Sequence, residues 1–190
     1  MKLGKQLHDY ANGIDDSPVL AEPEAAKGYS ISTTLEEDVV KAEQAHRVLL
    51  ALTDSVTARM RVDGFKAYCV AVSIRSIDFK TRSHQRKLYD PTDISSEVYQ
   101  LFAELWDGHT PLRLIGVALT DLTREEPAQI SLFPDEKKER SRKLDAAYDA
   151  IHKKFSASAI QRGSSLQSKL DVGKKYKAQM EVHDDPNRKM

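Results

Sequence analysis

The sequence predicts an α+β domain: a four-stranded antiparallel or mixed sheet in the order β-α-β-β-α-β, two helices on one face, then a C-terminal helix and a disordered tail. Three observations lead there. Two stretches carry apolar residues at helical spacing, four carry the alternation or β-rich content of strands, and they interleave so that each half reads β-α-β. Crossovers in such halves are right-handed, which places both helices on one face and leaves the other uncovered.

The opening strand is "GYSISTTL", rich in Ile, Thr and Tyr and short enough for an edge. From Glu37 to Arg61, Ala45, Val48, Leu49, Leu52, Val56 and Met60 recur at helical spacing and line one face for burial. Thr34 and Glu37 have capping-box spacing at its start, and Asp63-Gly64 supplies its stop.

"FKAYCVAVSIRSIDFKTRSHQRKLY" reads as two antiparallel strands joined by a tight turn: a β-rich run over 65–74, a polar break at Arg75-Ser76, and a second run with Ile77 and Phe79 two apart. Val70, Val72 and Ile74 share one face of the first strand, and Cys69, Ala71 and Ser73 keep the other small. The second helix carries Ile94, Val98, Leu101, Phe102, Leu105 and Trp106 inward, with Pro91, Thr92 and Asp93 as entry signals and Gly108 as its stop. Trp106 is read as core rather than as a stacking platform. In "LRLIGVALTDL", Ile115, Val117 and Leu119 alternate as the closing strand.

Beyond residue 123, "TREEPAQISLFP" has no period, and "DEKKERSRKLDAAYDAIHKKF" reads as a third helix with Leu144, Tyr148, Ile151 and Phe155 in register. Residues 163–190 are polar and poor in apolar groups, the composition of a disordered tail.

At 190 residues the chain accommodates one domain of ordinary size with appendages. Its 29 basic and 29 acidic residues cancel, so any electrostatic steering is local. The single cysteine, Cys69, lies in an apolar run and reads as a buried thiol; no internal disulfide is available to it. Without a membrane-length apolar run or an apolar leader, the chain reads as cytoplasmic.

Catalytic patterns are scarce. No P-loop, dinucleotide fingerprint, C-x-x-C or H-E-x-x-H occurs, and the six histidines are scattered, so no catalytic residue, metal ligand or cofactor is expected. Asp15 and Asp16 belong to a turn.

Two local features carry chemistry. In "KTRSHQRK", alternation puts Lys80, Arg82, His84 and Arg86 on one side of a strand. On the face without helices such a stripe can lie along a phosphate backbone; otherwise it is an edge strand protected by charge. In "AQISLFPDE", Leu132 and Phe133 either tuck a loop against the sheet or anchor a short linear motif in a partner's pocket, with Gln129 fixing register.

Together these features resemble the C-terminal part of the Y-family DNA polymerases, in the DNA polymerase IV-like branch of translesion enzymes. "LGKQLHDYANGIDDSPV" is similar to the end of that family's thumb, "KGYSISTTL" to its entry strand into the little finger, "SIRSIDFKTRSHQRK" to its DNA-facing hairpin, and "LRLIGVALTDL" to its closing strand. "QISLFP" matches its clamp-binding pentapeptide, and "KKFSASAIQRG" resembles the tail of bacterial members.

The resemblance implies a thumb remnant over 1–22, a linker over 23–27, a little-finger DNA-binding domain over 28–124, a clamp-binding loop over 125–134, a helical extension over 135–162 and a tail over 163–190. It implies contacts to duplex primer-template DNA from Ser32, Thr33, Thr34, Arg75, Lys80, Arg82, Ser83 and His84. It places Gln129, Leu132 and Phe133 in the pocket of the replication sliding clamp. The family's palm, which binds magnesium, and its fingers lie upstream and have no counterpart here. The chain by itself is therefore expected not to polymerise DNA, whether it is a fragment of a split or truncated gene or works beside a separate polypeptide carrying palm and fingers. A nucleoid-associated bacterial location follows from the same resemblance. The alternative reading keeps the topology as an RNA-binding or regulatory interaction domain, with Tyr68 and Phe79 as the only stacking candidates.

Overall fold

The computed structural model describes residues 2–18, 25–91, 94–124, 136–155 and 159–160. Helix α1 (Lys2–Ala11) precedes strand β1 (Tyr29–Val39), helix α2 (Ala42–Val62), strands β2 (Lys66–Ser76) and β3 (Thr81–Lys87), helix α3 (Ile94–Leu105), strand β4 (Leu112–Thr123) and helix α4 (Glu136–Phe155). The strands form one sheet in the order β1-β4-β2-β3, every neighbouring pair antiparallel. The expected α+β class and β-α-β-β-α-β order are therefore found, with β1 and β3 at the edges.

Helices α2 and α3 pack against the sheet and against each other. Alternation explains the core. Ile31, Val70, Val72, Ile74, Ile115, Val117 and Leu119 from the strands form one buried cluster with Val48, Leu49, Leu52 and Val56 of α2 and Val98, Leu101, Phe102 and Trp106 around α3. Trp106 is buried as expected, its indole Nε1 donating to the Thr110 carbonyl at 2.8 Å. Helix α2 is capped by Asp63, and Gly64 takes the left-handed conformation, φ +74°, that a side chain would resist.

Two boundaries differ from the sequence reading. Thr34 and Glu37 do not cap a helix: β1 continues to Val39, and α2 begins after Lys41, which makes no side-chain cap. Leu35 and Val39 explain the difference, because they are 6% and 5% exposed in an extended segment, and burial in the sheet outweighs a local capping preference. The strand's register shifts between Thr34 and Val39.

The hairpin turn also moves. Arg75 and Ser76 belong to β2, and Ile77 and Phe79 lie in the turn instead of starting a strand. Ser76 closes it: its N–H donates to the Lys80 carbonyl at 3.1 Å, its hydroxyl donates to the Asp78 carboxylate, and Phe79 N–H donates back to the Ser76 carbonyl at 3.0 Å. A serine that satisfies its own turn in this way reads locally as a break while remaining in the ladder.

Helix α4 forms as expected, with Leu144 and Phe155 exposed and Tyr148 and Ile151 half-buried. Arg61 of α2 holds it: Nε and Nη2 donate to the Asp149 carboxylate at 2.6 and 2.9 Å, and Asp145 is 3.9 Å away. The guanidinium's pKa is raised by these carboxylates against an opposing desolvation. Thr92, Asp93, the expected clamp-binding loop with Gln129, Leu132 and Phe133, and the expected 163–190 tail lie outside the described residues.

Candidate nucleic-acid interface

Directly paired residues of neighbouring strands point to the same side of a sheet. The register therefore sorts every strand residue onto one of two faces. On the face turned to the helices, rows run Ile31, Val117, Val72, His84; Tyr29, Leu119, Val70, Arg86; and Thr33, Ile115, Ile74, Arg82. The other face is composed differently: Ser30, Ala118, Ala71, Gln85; Ser32, Gly116, Ser73, Ser83; and Thr34, Leu114, Arg75, Thr81, with Thr120, Cys69 and Lys87 extending it.

That open face is low and rich in hydroxyls. Gly116 keeps it so, because a Cβ there would sit 2.6 Å from Ser73 Oγ, closer than real side chains come, and tightly at 3.0 Å from Ser32 Cβ. Arg75 crosses the end of the surface, its Nε donating to Thr81 Oγ1 at 2.9 Å. Cys69 is a buried free thiol, as expected. The β2 and β4 residues of these rows include no aromatic, so the base-stacking platform of an RNA reader is not built on them.

The predicted DNA contacts divide between the faces. Ser32, Thr34, Arg75 and Ser83 come together on the open face. Thr33 belongs to the helix-side rows and is half-buried. Lys80 stands in the turn, its Nζ 2.8 Å from Asp78 Oδ2. This ammonium, followed by the Ser76 hydroxyl, holds the Asp78 carboxyl down at a pKa of about 2.

Arg82, His84 and Arg86 share a side, as alternation requires, and it is the side turned to the helices, not the uncovered face on which such a stripe could follow a phosphate backbone. The reason is pairing. Val72 and Ile74 must face the core, and their β3 partners, His84 and Arg82, then face the same way. Helix α3 meets them with acid: Arg86 Nη1 donates to Glu97 Oε2 at 2.8 Å and to Gln100 Oε1 at 3.2 Å, and Nη2 donates to Glu104 Oε1 at 2.5 Å. His84 Nδ1 lies 3.3 Å from Glu104 Oε2. Glu104, then Glu97, raises the Arg86 pKa. Arg82, one pair nearer the turn, and His84 are exposed, and Arg86 is half-buried.

The sequence reading did not single out Ser30, Ser73, Thr81, Gln85 and Lys87, which share the open face. A signal for them was available: Glu97, Gln100 and Glu104 recur at helical spacing, an acidic face matching the basic stripe.

At the far end of the sheet, the chain leaves β4 through Arg124, whose guanidinium carbon is 4.4 Å from the Phe65 ring centroid. Phe65 in turn tilts against Tyr29, whose hydroxyl donates to Asp63; burial first, then this carboxylate, pushes the phenol up to about 12. Among the described residues no cluster of His, Cys, Asp and Glu could hold a metal ion, and no helix is long and apolar enough to cross a membrane.

Residues 26–132 match the impB/mucB/samB family C-terminal domain. DNA polymerase IV of Clostridium acetobutylicum is 35% identical over 170 residues, covering 86% of this chain and 42% of that protein. DNA polymerase IV 2 of Halalkalibacterium halodurans is 37% identical over 166 residues, covering 83% and 40%. The chain thus spans about two fifths of the length of these curated relatives. A solved chain from a complex of beta-clamp processivity factor and little finger domain of PolIV aligns with 56% of this chain and 99% of its own length, at 18% identity and a TM-score of 0.40.

Proposed function

The chain belongs to the impB/mucB/samB family, whose C-terminal domain it carries over residues 26–132, and from that premise we propose that it grips duplex primer-template DNA with the open face of its sheet. In this reading it is the non-catalytic C-terminal portion of a DNA polymerase IV-like enzyme of damage bypass, tethered to a sliding clamp by Gln129, Leu132 and Phe133. One observation carries the DNA reading: the face without helices presents small residues, hydroxyls, Gln85, Lys87 and Arg75 instead of an apolar surface. Hydroxyls, amides and cations of this kind follow a phosphate backbone without reading bases, and their affinity falls with salt. Weak DNA and clamp contacts in one chain reinforce each other through effective concentration.

Fluorescence anisotropy with a duplex across a salt series tests the grip. Arg75→Ala is expected to weaken binding at every sequence and to reduce the log–log salt slope by about one. An unchanged slope together with an unchanged affinity would remove Arg75 from the interface. For the tether, Leu132→Ala combined with Phe133→Ala abolishes clamp binding while leaving duplex binding intact. Primer extension with magnesium separates this module from an enzyme: no extension is expected from the chain alone, and activity returns only with a polypeptide supplying palm and fingers.

A further inference from the structure

The tip of the β2–β3 hairpin is apolar, exposed and conformationally unusual at once. Ile77 and Phe79 are 50% and 68% exposed. Phe79 has φ 61°, a left-handed conformation that bulky residues rarely adopt and that glycine or asparagine would take without strain. Burial does not compensate for that choice. The ring instead meets a cation, the Arg113 guanidinium, whose carbon is 5.4 Å from its centroid.

The tip is also held in place. Ile77 N–H donates to the Pro111 carbonyl at 3.2 Å, linking the turn to the segment before β4, and Asp78 is occupied by Ser76 and Lys80. It lies in sequence directly between Arg75 and Thr81, the two residues that end the open face. Arg113 against the ring and Lys80, paired with Asp78 next to it in the turn, bring cations to the tip. A fixed, exposed ring flanked by arginine suits the π-face of a nucleobase, and the surrounding cations suit the phosphates on either side of that base.

We propose that Phe79, backed by Arg113, is a stacking platform for an unpaired nucleobase where duplex on the open face gives way to single strand. This inference rests on the duplex-gripping reading and adds a second class of contact to it.

The full chain is titrated with two DNAs of equal duplex length, one blunt and one carrying a short overhang with 2-aminopurine beside the junction. The parent is expected to bind the overhang DNA about tenfold more tightly, as stacking of one base allows, and to quench the 2-aminopurine. Phe79→Gly removes the ring while suiting the φ of the position, so the fold is retained; it is expected to bind both DNAs alike and to quench nothing. Phe79→Tyr restores preference and quenching. Equal affinities in the parent, or a preference kept by Phe79→Gly, would overturn the platform while leaving duplex binding standing. Failure of the parent to bind either DNA overturns both readings. If Phe79→Gly loses clamp binding but keeps the overhang preference, the tip is a protein contact and the platform is likewise refuted.

Discussion

The two faces of this sheet come from the same four strands and obey the same alternation, yet the central strands put Val and Ile, with Leu119, on one and mostly Ser, Ala and Gly on the other. On the helix side, large side chains interdigitate with α2 and α3 and are removed from water. On the open side, residues are small enough that the backbone itself comes near the surface, with Gly116 at its centre. The difference separates two tasks, stability on one face and, in the proposed function, DNA contact on the other. Strand β3 shows the division most sharply: Arg86 and His84 serve the fold by meeting the acids of α3, while Ser83, Gln85 and Lys87 on its other side are exposed.

Substitutions can break that division, beginning with the core. Phe102→Ala removes one of the largest fully buried side chains and is expected to cost about 3–5 kcal/mol in urea unfolding. If the face assignment is right, duplex affinity measured well below the unfolding midpoint stays near that of the parent. Gly116→Val acts on the opposite face, where its side chain would meet Ser73 and Ser32; overpacking of this kind costs about 1–3 kcal/mol. Unlike the core variant, it is expected to lower DNA affinity among molecules that remain folded.

Arg86→Ala sharpens the comparison within β3. It leaves Glu97 and Glu104 without their guanidinium, so the unfolding midpoint falls, whereas the salt slope of DNA binding stays that of the parent. Lys87→Ala, one residue on and on the other side, should do the reverse. A reduced slope in Arg86→Ala would mean that α3 releases the arginine when DNA binds.

The smallest effect concerns the turn. Asp78 has a pKa lowered to about 2, so its ion pair with Lys80 contributes fully above the ordinary carboxylate value near 4 and is lost as pH falls through about 2. Asp78→Asn is expected to flatten the stability profile in that window, lowering stability slightly at neutral pH, where the pair contributes, and leaving it unchanged below about pH 2, which acid titrations followed by circular dichroism would read.

Much of this was legible in the linear pattern. Both core helices, the inward alternation of Val70, Val72 and Ile74, the buried Trp106 and the stop at Asp63-Gly64 follow from spacing and residue type, because burial of one face forces a period on the sequence. Where local and distant preferences compete, the pattern misleads. Thr34 and Glu37 satisfy a helix cap on paper but lie in a strand that buries Leu35 and Val39, and Ser76 resembles a break although it pairs with Leu112.

By itself, then, the sequence determined which residues share a side of each strand, since alternation is a property of the extended backbone. It could not determine which side of β3 meets the helices. That depended on where the turn closes, because moving the turn by one residue sends every side chain of the strand to the other face. Only the hydrogen bonds from Ser76 to Lys80 and Asp78, together with the pairing of Val72 with His84, turned the basic stripe toward Glu97 and Glu104 and left the hydroxyls outside.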